Sequence, residues 1–273
     1  MYRFLFTARW LGFLALAVTA AVVMVFLGNW QLSRYEERSA INNRIDAATG
    51  AVPVPLDRQV PAPTGAAGTA GAGPAEDAVW SRVTATGRYD TDNLILVRGR
   101  TVNGTVGFEL VVPLLLDDGT AVLVDLGWIP PASGGDALAQ PQVPPIAGGQ
   151  VTANGRVHLT ESRSGEVSRR NGKLETRRVD VARLAAELPY PVYGAYILLD
   201  EQVPAADPVF QAVQIRHENN WQNLGYVVQW WLFAAMTLFA YGWAARREAH
   251  GITGKKPEPL DRAAEPTPAH QQS

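Results

Sequence analysis

Cysteine is missing from all 273 residues of this sequence. Its absence excludes disulfide bonds, thiolate nucleophiles, cysteine-ligated zinc and covalent attachment of c-type haem, because each of these requires a cysteine sulfur. The fold must therefore be held by packing alone, which a segment of about two hundred residues can achieve.

Charge is also sparse. Charged residues make up 18% of the chain and the formal net charge is −2. This balance gives no general attraction to polyanions, so we predict no nucleic-acid partner. Hydrophobic residues reach 47%, but they are concentrated in two blocks near the ends of the chain.

The first block, residues 10–27, carries no charge and predicts a transmembrane helix. About 20 apolar residues cross a bilayer core, and about 17 are enough at the lower limit. A cleaved signal peptide is the alternative, because Arg3 and Arg9 form a basic leading region. The residues that follow, from Gly28 to Leu32, do not form a small-residue cleavage site, which favours an uncleaved anchor.

The second block, residues 224–245, is also uncharged. A buried core helix is the alternative, but aromatic rings cluster at both ends of the block, as is typical at membrane interfaces. These rings belong to Tyr226, Trp230, Trp231, Tyr241 and Trp243.

Basic residues predict the orientation, because they accumulate on the cytoplasmic side. They lie before the first block (Arg3, Arg9) and after the second (Arg246, Arg247, Lys255, Lys256). We expect residues 1–9 and a disordered tail at 246–273 to be cytoplasmic, and residues 28–223 to be extracytoplasmic. The sequence shows no basic, serine-rich transit peptide, which favours a bacterial plasma membrane over a mitochondrial one.

Closely spaced strand patterns predict a β-rich α+β domain between the two helices, with an antiparallel, barrel- or sandwich-like sheet. Hairpin turns are expected at Asn103-Gly104 and at 117–119. The first helix should continue as an amphipathic extension through Ile45. A short helix should begin after Asp180 as its N-cap, and residues 61–74, rich in Ala, Gly and Pro, predict a flexible insert.

No catalytic constellation emerges, so we predict a protein that is not an enzyme and holds no metal. His158 is expected to be an ordinary sheet histidine. His217, just before the second block, is either a solvated interfacial residue or a ligand for haem or metal. A basic run is either a solvated hairpin or a site for lipid phosphate, haem propionates or an acidic partner; it comprises Arg163, Arg169, Arg170, Lys173, Arg177 and Arg178.

The polar residues within and next to the two apolar blocks give more information about a binding site than the histidines or the basic run. Gln229 lies inside the second block, where an uncompensated amide is costly, so it should face the other helix or a ligand. Antiparallel helices would bring the start of the second block close to the end of the first. The expected outer-leaflet cluster contains Trp30, Gln31, Arg34, Tyr226, Gln229 and Trp230. Simple helix packing and interfacial anchoring are the alternative explanation.

Several motifs, in order along the chain, resemble the Surfeit locus protein 1 family. Residues 27–34 (LGNWQLSR) resemble its LGxWQLxR signature, residues 104–130 resemble its central region, and residues 224–231 (LGYVVQWW) resemble the start of its second span. Asp125-Leu126 stands where the family usually has Asn-Arg. Asn223 stands where the family commonly has the histidine associated with haem a.

This resemblance implies a membrane assembly factor for haem a-containing cytochrome c oxidase. The expected partners are the oxidase catalytic subunit, other oxidase assembly proteins and membrane lipid, with haem a as a transient cofactor. The cofactor-binding candidates are the cluster residues together with His217. The alternatives are a permanent accessory or scaffold subunit that never contacts haem, and an unrecognised extracytoplasmic enzyme or binding module.

Overall fold

The structure is a computed structural model that describes residues 2–132, 139–161 and 165–254. The chain divides into a helical unit, up to Arg38 and from Asn219 onward, and a β unit, Ser39–Glu218. The elements are α1 (Ala8–Ala48), β1 (Val54–Pro55), β2 (Arg82–Tyr89), β3 (Ile95–Val102), β4 (Thr105–Leu116), β5 (Ala121–Ile129), β6 (Val151–Leu159), β7 (Ser168–Arg170), β8 (Lys173–Thr176), α2 (Val181–Ala185), β9 (Val192–Val203) and α3 (Trp221–Gly254).

Both long helices are long and apolar enough to cross a membrane. Only 17% of the most apolar window of α1 and 11% of that of α3 is buried, whereas the core helix of a soluble protein is mostly buried. The predicted apolar blocks lie inside these helices. The predicted extension of the first helix is confirmed, since α1 stays helical past Ile45, which is buried.

The second helix differs from its predicted bounds. α3 continues through Gly254, so residues 246–254 are helical where a disordered tail was expected. Arginine, glutamate and alanine in this stretch have good helix propensity, which outweighs the loss of apolar character after Ala245. Residues 255–273, the remainder of that predicted tail, lie outside the described part of the chain.

The nine strands within the described residues form one sheet in the order β1-β2-β6-β9-β5-β4-β3-β8-β7. β2 also pairs with β4, so β2, β6, β9, β5 and β4 are hydrogen-bonded in a closed circuit. Gly87 lies where β2 contacts both neighbours, opposite Val151 and Leu116. A Cβ at Gly87 would collide with the Leu115 carbonyl, so the closure depends on glycine here.

The prediction of a β-rich α+β domain is confirmed, but the expectation of an antiparallel sheet is wrong in part, because the sheet is mixed. β1 with β2, β3 with β8, and β5 with β9 are parallel pairs. Strands joined by a hairpin must be antiparallel, as β3 and β4 are around Asn103-Gly104, where both residues have positive φ. β5 and β9 are separated by other elements along the chain, so no local signal gives their direction.

The sheet is buried on two faces around its central strands. Every residue of β5 is buried, whereas β6 alternates between buried and partly exposed positions. One hydrophobic cluster includes Phe108, Leu110, Val124 and Ile197. The other, beneath α2, includes Ile95, Val111, Leu123, Leu184 and Leu198. Asp180 caps α2 as predicted, with its side chain accepting a hydrogen bond from the backbone N–H of Arg183.

The Ala-, Gly- and Pro-rich segment at 61–74 makes ordered contacts that the prediction of a flexible insert did not anticipate. Ala70 forms a parallel bridge with Val192, and the Gly71 N–H donates to the Val192 carbonyl at 2.8 Å. The backbone at Ala72 lies so close to Gly194 that a Cβ on that glycine would collide with it. The small residues let this backbone lie directly against β9.

Candidate functional site

Gly28 sets the separation of α1 and α3 in the helical unit. It is buried, and a Cβ at this position would lie 2.5 Å from the Trp231 ring and 3.5 Å from the Trp230 Cβ. Without a side chain, Gly28 allows the indole of Trp231 to pack directly against the α1 backbone. Small or branched residues, including Ala17, Ala21, Val227 and Ala234, are buried in the same unit.

A polar network joins the two helices in the same unit, and we call it the amide–arginine network (Gln31, Arg38, Asn219 and Asn223). The Asn223 Nδ2 donates to Gln31 Oε1 at 2.8 Å. The Arg38 Nη1 donates to the Asn223 Oδ1 at 3.2 Å and to the Asn219 carbonyl at 2.8 Å. Both polar atoms of the Asn223 amide are therefore hydrogen-bonded.

The aromatic members of the predicted cluster lie near this network in sequence but remain largely accessible. Trp30 is 56% exposed and Tyr226 is 41% exposed. Trp230 is half-buried and packs edge-to-face on Phe233, with ring centroids 6.2 Å apart. These exposed rings give the helical unit a broad aromatic surface.

Two predicted polar members are placed differently. Arg34 forms an exposed ion pair with Glu37, with an Nη1–Oε2 distance of 2.8 Å. Gln229 is exposed and not buried against α1, so the first of its two predicted surroundings is not seen, and the second, a ligand, stays a prediction. Val227 and Ala234 of the same helix are buried.

His217 belongs to the β unit and not to the helical unit that holds the other predicted residues. Its Nε2 lies 2.8 Å from Oδ1 of Asp46, and both side chains are more than half exposed. Close by in the chain, the Glu218 N–H donates to Asn42 Oδ1 at 2.7 Å, and the Asn42 Nδ2 donates back to the Glu218 carbonyl. The imidazole is thus hydrogen-bonded to a carboxylate at the surface of the β unit.

The sequence interpretation missed Gly28, Arg38, Asn223 and Trp231 as members of the site. A usable signal was present, because alternating steps of four and three residues mark one face of a helix. On α1 this face carries Met24, Gly28, Gln31, Tyr35, Arg38, Asn42 and Ile45. Asn223 was treated only as a departure from a familiar pattern, although its amide can both donate and accept.

The β unit contains a second polar centre, the acid–arginine cluster (Arg100, Glu109, Asp125 and Glu161). The Arg100 Nε lies 2.8 Å from Glu109 Oε2, and its Nη2 lies 2.8 Å from Glu161 Oε1. Asp125 is fully buried and accepts a hydrogen bond from the Gly127 N–H at 2.9 Å. A cavity of about 400 Å³ is lined in part by Arg100 and Glu109.

The surroundings of Asp125 and Glu109 favour protonation of this pair of carboxyl groups. The Asp125 Oδ2 has no hydrogen-bond partner among the described residues, and the Glu109 carboxyl lies close enough to Asp125 for each to affect the pKa of the other. Burial, and then the charge of Glu109, raise the pKa of Asp125 well above its usual value. Burial also raises the pKa of Glu109, although Arg100 opposes the shift. These shifts favour a proton on the pair, and a protonated Asp125 is able to donate to the Glu109 carboxylate.

His158 is held beside this cluster. Its Nδ1 lies 2.9 Å from the Leu159 carbonyl, and its ring packs against Trp80 and Tyr196 with centroids 4.9 and 5.0 Å away. Burial lowers the pKa of His158, which keeps the imidazole neutral at physiological pH. These contacts fit the expectation of a packed sheet histidine.

The basic run is partly engaged in ion pairs on the β7–β8 hairpin. The Arg170 Nε lies 3.2 Å from Glu175, and Arg169 donates to the Gly172 carbonyl at 3.1 Å. Arg163 lies outside the described residues. The hairpin contacts agree with a solvated basic turn and leave the predicted anionic ligand untested.

Comparison with known proteins places these features in a family context. The family model described as the SURF1 family matches residues 18–235. An uncharacterized SURF1-like protein of Mycobacterium tuberculosis is 31% identical over 249 residues, covering 90% of this chain and 86% of that protein. A Mycobacterium bovis protein with the same description gives the same values. The SURF1-like protein of Monosiga brevicollis is 26% identical over 267 residues, covering 89% of this chain and 91% of that protein.

Proposed function

The chain belongs to the SURF1 family, and we propose that it is a non-enzymatic membrane factor that assists the assembly of a haem a-containing cytochrome c oxidase. Members of this family are generally cytochrome oxidase assembly factors. The observation that carries the proposal is the extent of the family match, which runs from within α1, through the whole sheet, into α3.

We propose that α1 and α3 are membrane-spanning helices that hold the β unit outside a bacterial plasma membrane. Their length, their apolar character and the exposure of most of their apolar side chains support this placement. Arg3 and Arg9 before the first apolar block, and Arg246 and Arg247 after the second, support cytoplasmic ends. The amide–arginine network would then lie at the extracytoplasmic end of the helix pair.

This network and its aromatic neighbours are the proposed working surface. The exposed rings of Trp30 and Tyr226 are suited to contact an apolar macrocycle or the transmembrane helices of the oxidase catalytic subunit. Arg34 is the cationic residue nearest to Trp30 in the sequence, but its guanidinium forms an ion pair with Glu37. The fixed helix spacing at Gly28 would keep this surface in one arrangement.

The side chains fit the periphery of haem a better than its iron. Haem iron is held by histidine, cysteinate, methionine or tyrosinate. Tyr226 is of such a type, and the other residues of this surface are not: Gly28, Trp30, Gln31, Arg38, Asn223, Trp230 and Trp231. The amide of Asn223 is occupied by Gln31 and Arg38. We therefore assign no histidine, cysteine or methionine ligand here, and we propose that any contact with haem a is transient and made mainly through ring packing.

The same observation favours one alternative, a lasting accessory or scaffold subunit that never contacts haem. A network in which the amide at position 223 only ties two helices together suits a structural role. Quantification of the chain in purified mature oxidase separates the two functions. A stoichiometric amount would favour the scaffold, and trace amounts would favour a transient assembly factor.

A deletion strain tests the proposal. We expect its purified oxidase to lack haem a, and the wild-type chain supplied in trans to restore the haem a absorption spectrum. An oxidase with normal spectrum and activity in the deletion strain would contradict the assembly function. The oxidase subunits should be quantified in parallel, because loss of the protein and loss of its haem are different defects.

Haem contact is tested on the purified full chain after co-expression with haem a synthesis. We expect Trp30→Ala to reduce any bound haem a, because the variant removes an exposed ring from the proposed surface. His217→Ala is the matched comparison, since its imidazole is paired with Asp46 in the other unit. A haem spectrum lost only in His217→Ala would assign that histidine as the ligand and contradict ring packing.

A further inference from the structure

A second concave surface lies on the helical unit, at the end where α1 begins and α3 ends. It encloses about 1070 Å³ and is lined by residues of both helices. Trp10 and Tyr241 pack edge-to-face across it, with ring centroids 5.8 Å apart. Its other apolar members include Phe13, Leu16 and Ala20. The volume lies just above the range of about 300–1,000 Å³ that is typical of ligand pockets.

Two guanidinium groups line this groove together with the apolar side chains. Arg9 comes from α1 and lies over the ring of Phe13, 5.7 Å from its centroid. Arg247 comes from α3 and lies over the ring of Trp243 at 5.5 Å. Within the part of the chain that the structure describes, neither forms an ion pair. With one carboxylate in the lining, Glu248, the groove keeps a net positive charge.

The groove has an apolar part and a cationic part, which together indicate the chemical class of ligand that it can bind. Rings and alkyl groups form most of the lining, which suits a long hydrocarbon body and not a small soluble anion. Arginines supplied by two different helices suit a phosphate group, which accepts several charge-assisted hydrogen bonds. Anionic headgroups are also attracted by basic residues at the ends of membrane helices.

We propose that this groove is a specific binding site for one anionic phospholipid, with its phosphate between Arg9 and Arg247 and an acyl chain along Phe13, Leu16 and Ala20. The bound lipid would join the beginning of α1 to the end of α3, at the opposite end of the helices from the amide–arginine network. The inference depends on the membrane placement in the proposed function, but it does not depend on haem delivery.

Native mass spectrometry of the purified full chain tests this site. The chain in mild detergent is titrated with phosphatidylglycerol or with phosphatidylcholine. We expect phosphatidylglycerol to be retained at a concentration about tenfold lower than phosphatidylcholine, because only the former has a net negative charge. Equal retention of the two lipids would overturn the proposal.

A pair of matched double variants separates the groove from general charge. Arg9→Gln with Arg247→Gln is expected to abolish the preference for phosphatidylglycerol. Arg3→Gln with Arg246→Gln removes the same charge near the same helix ends but outside this groove, and should preserve the preference. A preference that survives the first double variant, or is lost equally in both, would reject the site.

A third variant examines the apolar part while keeping both arginines. Ala20→Phe narrows the groove and should weaken phosphatidylglycerol retention several-fold, so wild-type retention would contradict an acyl chain there. A haem absorption band lost with Arg9→Gln and Arg247→Gln would assign the groove to a macrocycle and overturn the lipid. The lipid site and the assembly function can be rejected separately. If the deletion strain has normal oxidase while the purified chain still retains phosphatidylglycerol selectively, only the assembly function is rejected.

Discussion

The two units of the molecule differ in which of their apolar and polar side chains are buried and which are exposed. In the β unit, large side chains such as Phe108 are fully buried, and the partly buried Arg100 of the acid–arginine cluster is paired with Glu109 and Glu161. In the helical unit, Phe26 and Phe239 are more than 70% exposed, and the polar contact between the helices is built mainly from amides. The β unit excludes water from its own core, whereas the helical unit leaves large apolar side chains exposed on helices that are long and apolar enough to cross a membrane.

The chemistry of the two polar centres also differs. The acid–arginine cluster contains three carboxyl groups for one guanidinium, and burial raises the pKa of one of them, Asp125. The amide of Asn223 carries no titratable group and hydrogen-bonds equally well over the physiological pH range. We therefore expect the stability of the β unit to depend on pH, and the helix contact in the helical unit not to be altered directly by pH.

The largest expected difference concerns one phenylalanine from each unit. Phe108→Ala should cost about 3–5 kcal/mol of unfolding free energy, because it removes a fully buried ring and leaves a cavity. Phe239→Ala, at an exposed position of α3, should change the free energy of unfolding by less than about 0.5 kcal/mol. Chemical denaturation of the full chain in detergent measures this free energy for both variants. Equal losses in the two variants would contradict the difference in packing between the units.

The next effect tests the helix contact at Gly28. Gly28→Val should collide with the Trp231 ring and cost about 1–3 kcal/mol of the helix-pairing free energy. Gly12→Val is the control, since a Cβ there meets nothing within 4 Å. Cysteine cross-linking between α1 and α3 reports the pairing. Restoration of cross-linking by Gly28→Val combined with Trp231→Ala would identify the collision as the cause, and unchanged cross-linking in the single variant would refute it.

The third effect is the pH dependence of the β unit. Because the pKa of Asp125 is raised on folding, the stability that its protonated form provides is complete below the unfolded pKa of about 4. It is lost as pH rises through the higher folded pKa. Asp125→Asn supplies a permanent donor to Glu109 and should be more stable than wild type at pH 8 by on the order of 1 kcal/mol, with little gain at pH 4.

Urea unfolding at several pH values measures this effect. Asp117→Asn, at an exposed turn position, is the matched control and should leave the shape of the pH profile unchanged. If the stability of Asp125→Asn ran parallel to that of wild type from pH 4 to pH 8, the shared proton would be rejected.

The smallest effects concern the polar contacts of the helical unit. Asn223→Ala should cost about 1 kcal/mol, since it leaves Gln31 and Arg38 without that hydrogen-bond partner. Arg34→Gln removes only an exposed ion pair and should cost less than about 0.5 kcal/mol. The same cross-linking assay, performed across a temperature series, ranks the two variants. A larger loss for Arg34→Gln would contradict the importance of the amide–arginine network.

Several features could be predicted from sequence because their causes are local. The apolar blocks at 10–27 and 224–245 indicate two long helices by length and composition alone. Asn103-Gly104 indicates a tight hairpin because both positions adopt positive φ. Asp180 marks the start of α2 because its carboxylate accepts a backbone N–H three residues later. Each of these signals lies within a few residues of the structure it produces.

Other features could not be predicted in this way. β5 has no alternating pattern because its two faces contact different clusters, and nothing in its own residues reveals the parallel pairing with β9. The backbone contacts of 69–73 with β9 likewise depend on a distant partner. Among the predicted site residues, helical spacing indicated Tyr226 and Trp230, and the antiparallel arrangement of the two blocks indicated Trp30, Gln31 and Arg34. The partners of Gln31 and the exposure of Gln229 depend instead on how α3 is rotated.

The sequence by itself therefore determined the two long apolar helices, the β-rich segment between them and the local turns and caps, because propensity and hydropathy act over short distances. The tertiary structure alone decided the mixed strand order, the burial of Asp125 near Glu109, and the contact of Asn223 with Gln31. The physical reason is that burial and hydrogen-bond partners come from residues far apart in the chain, such as Asn223 and Gln31, 192 positions away from each other.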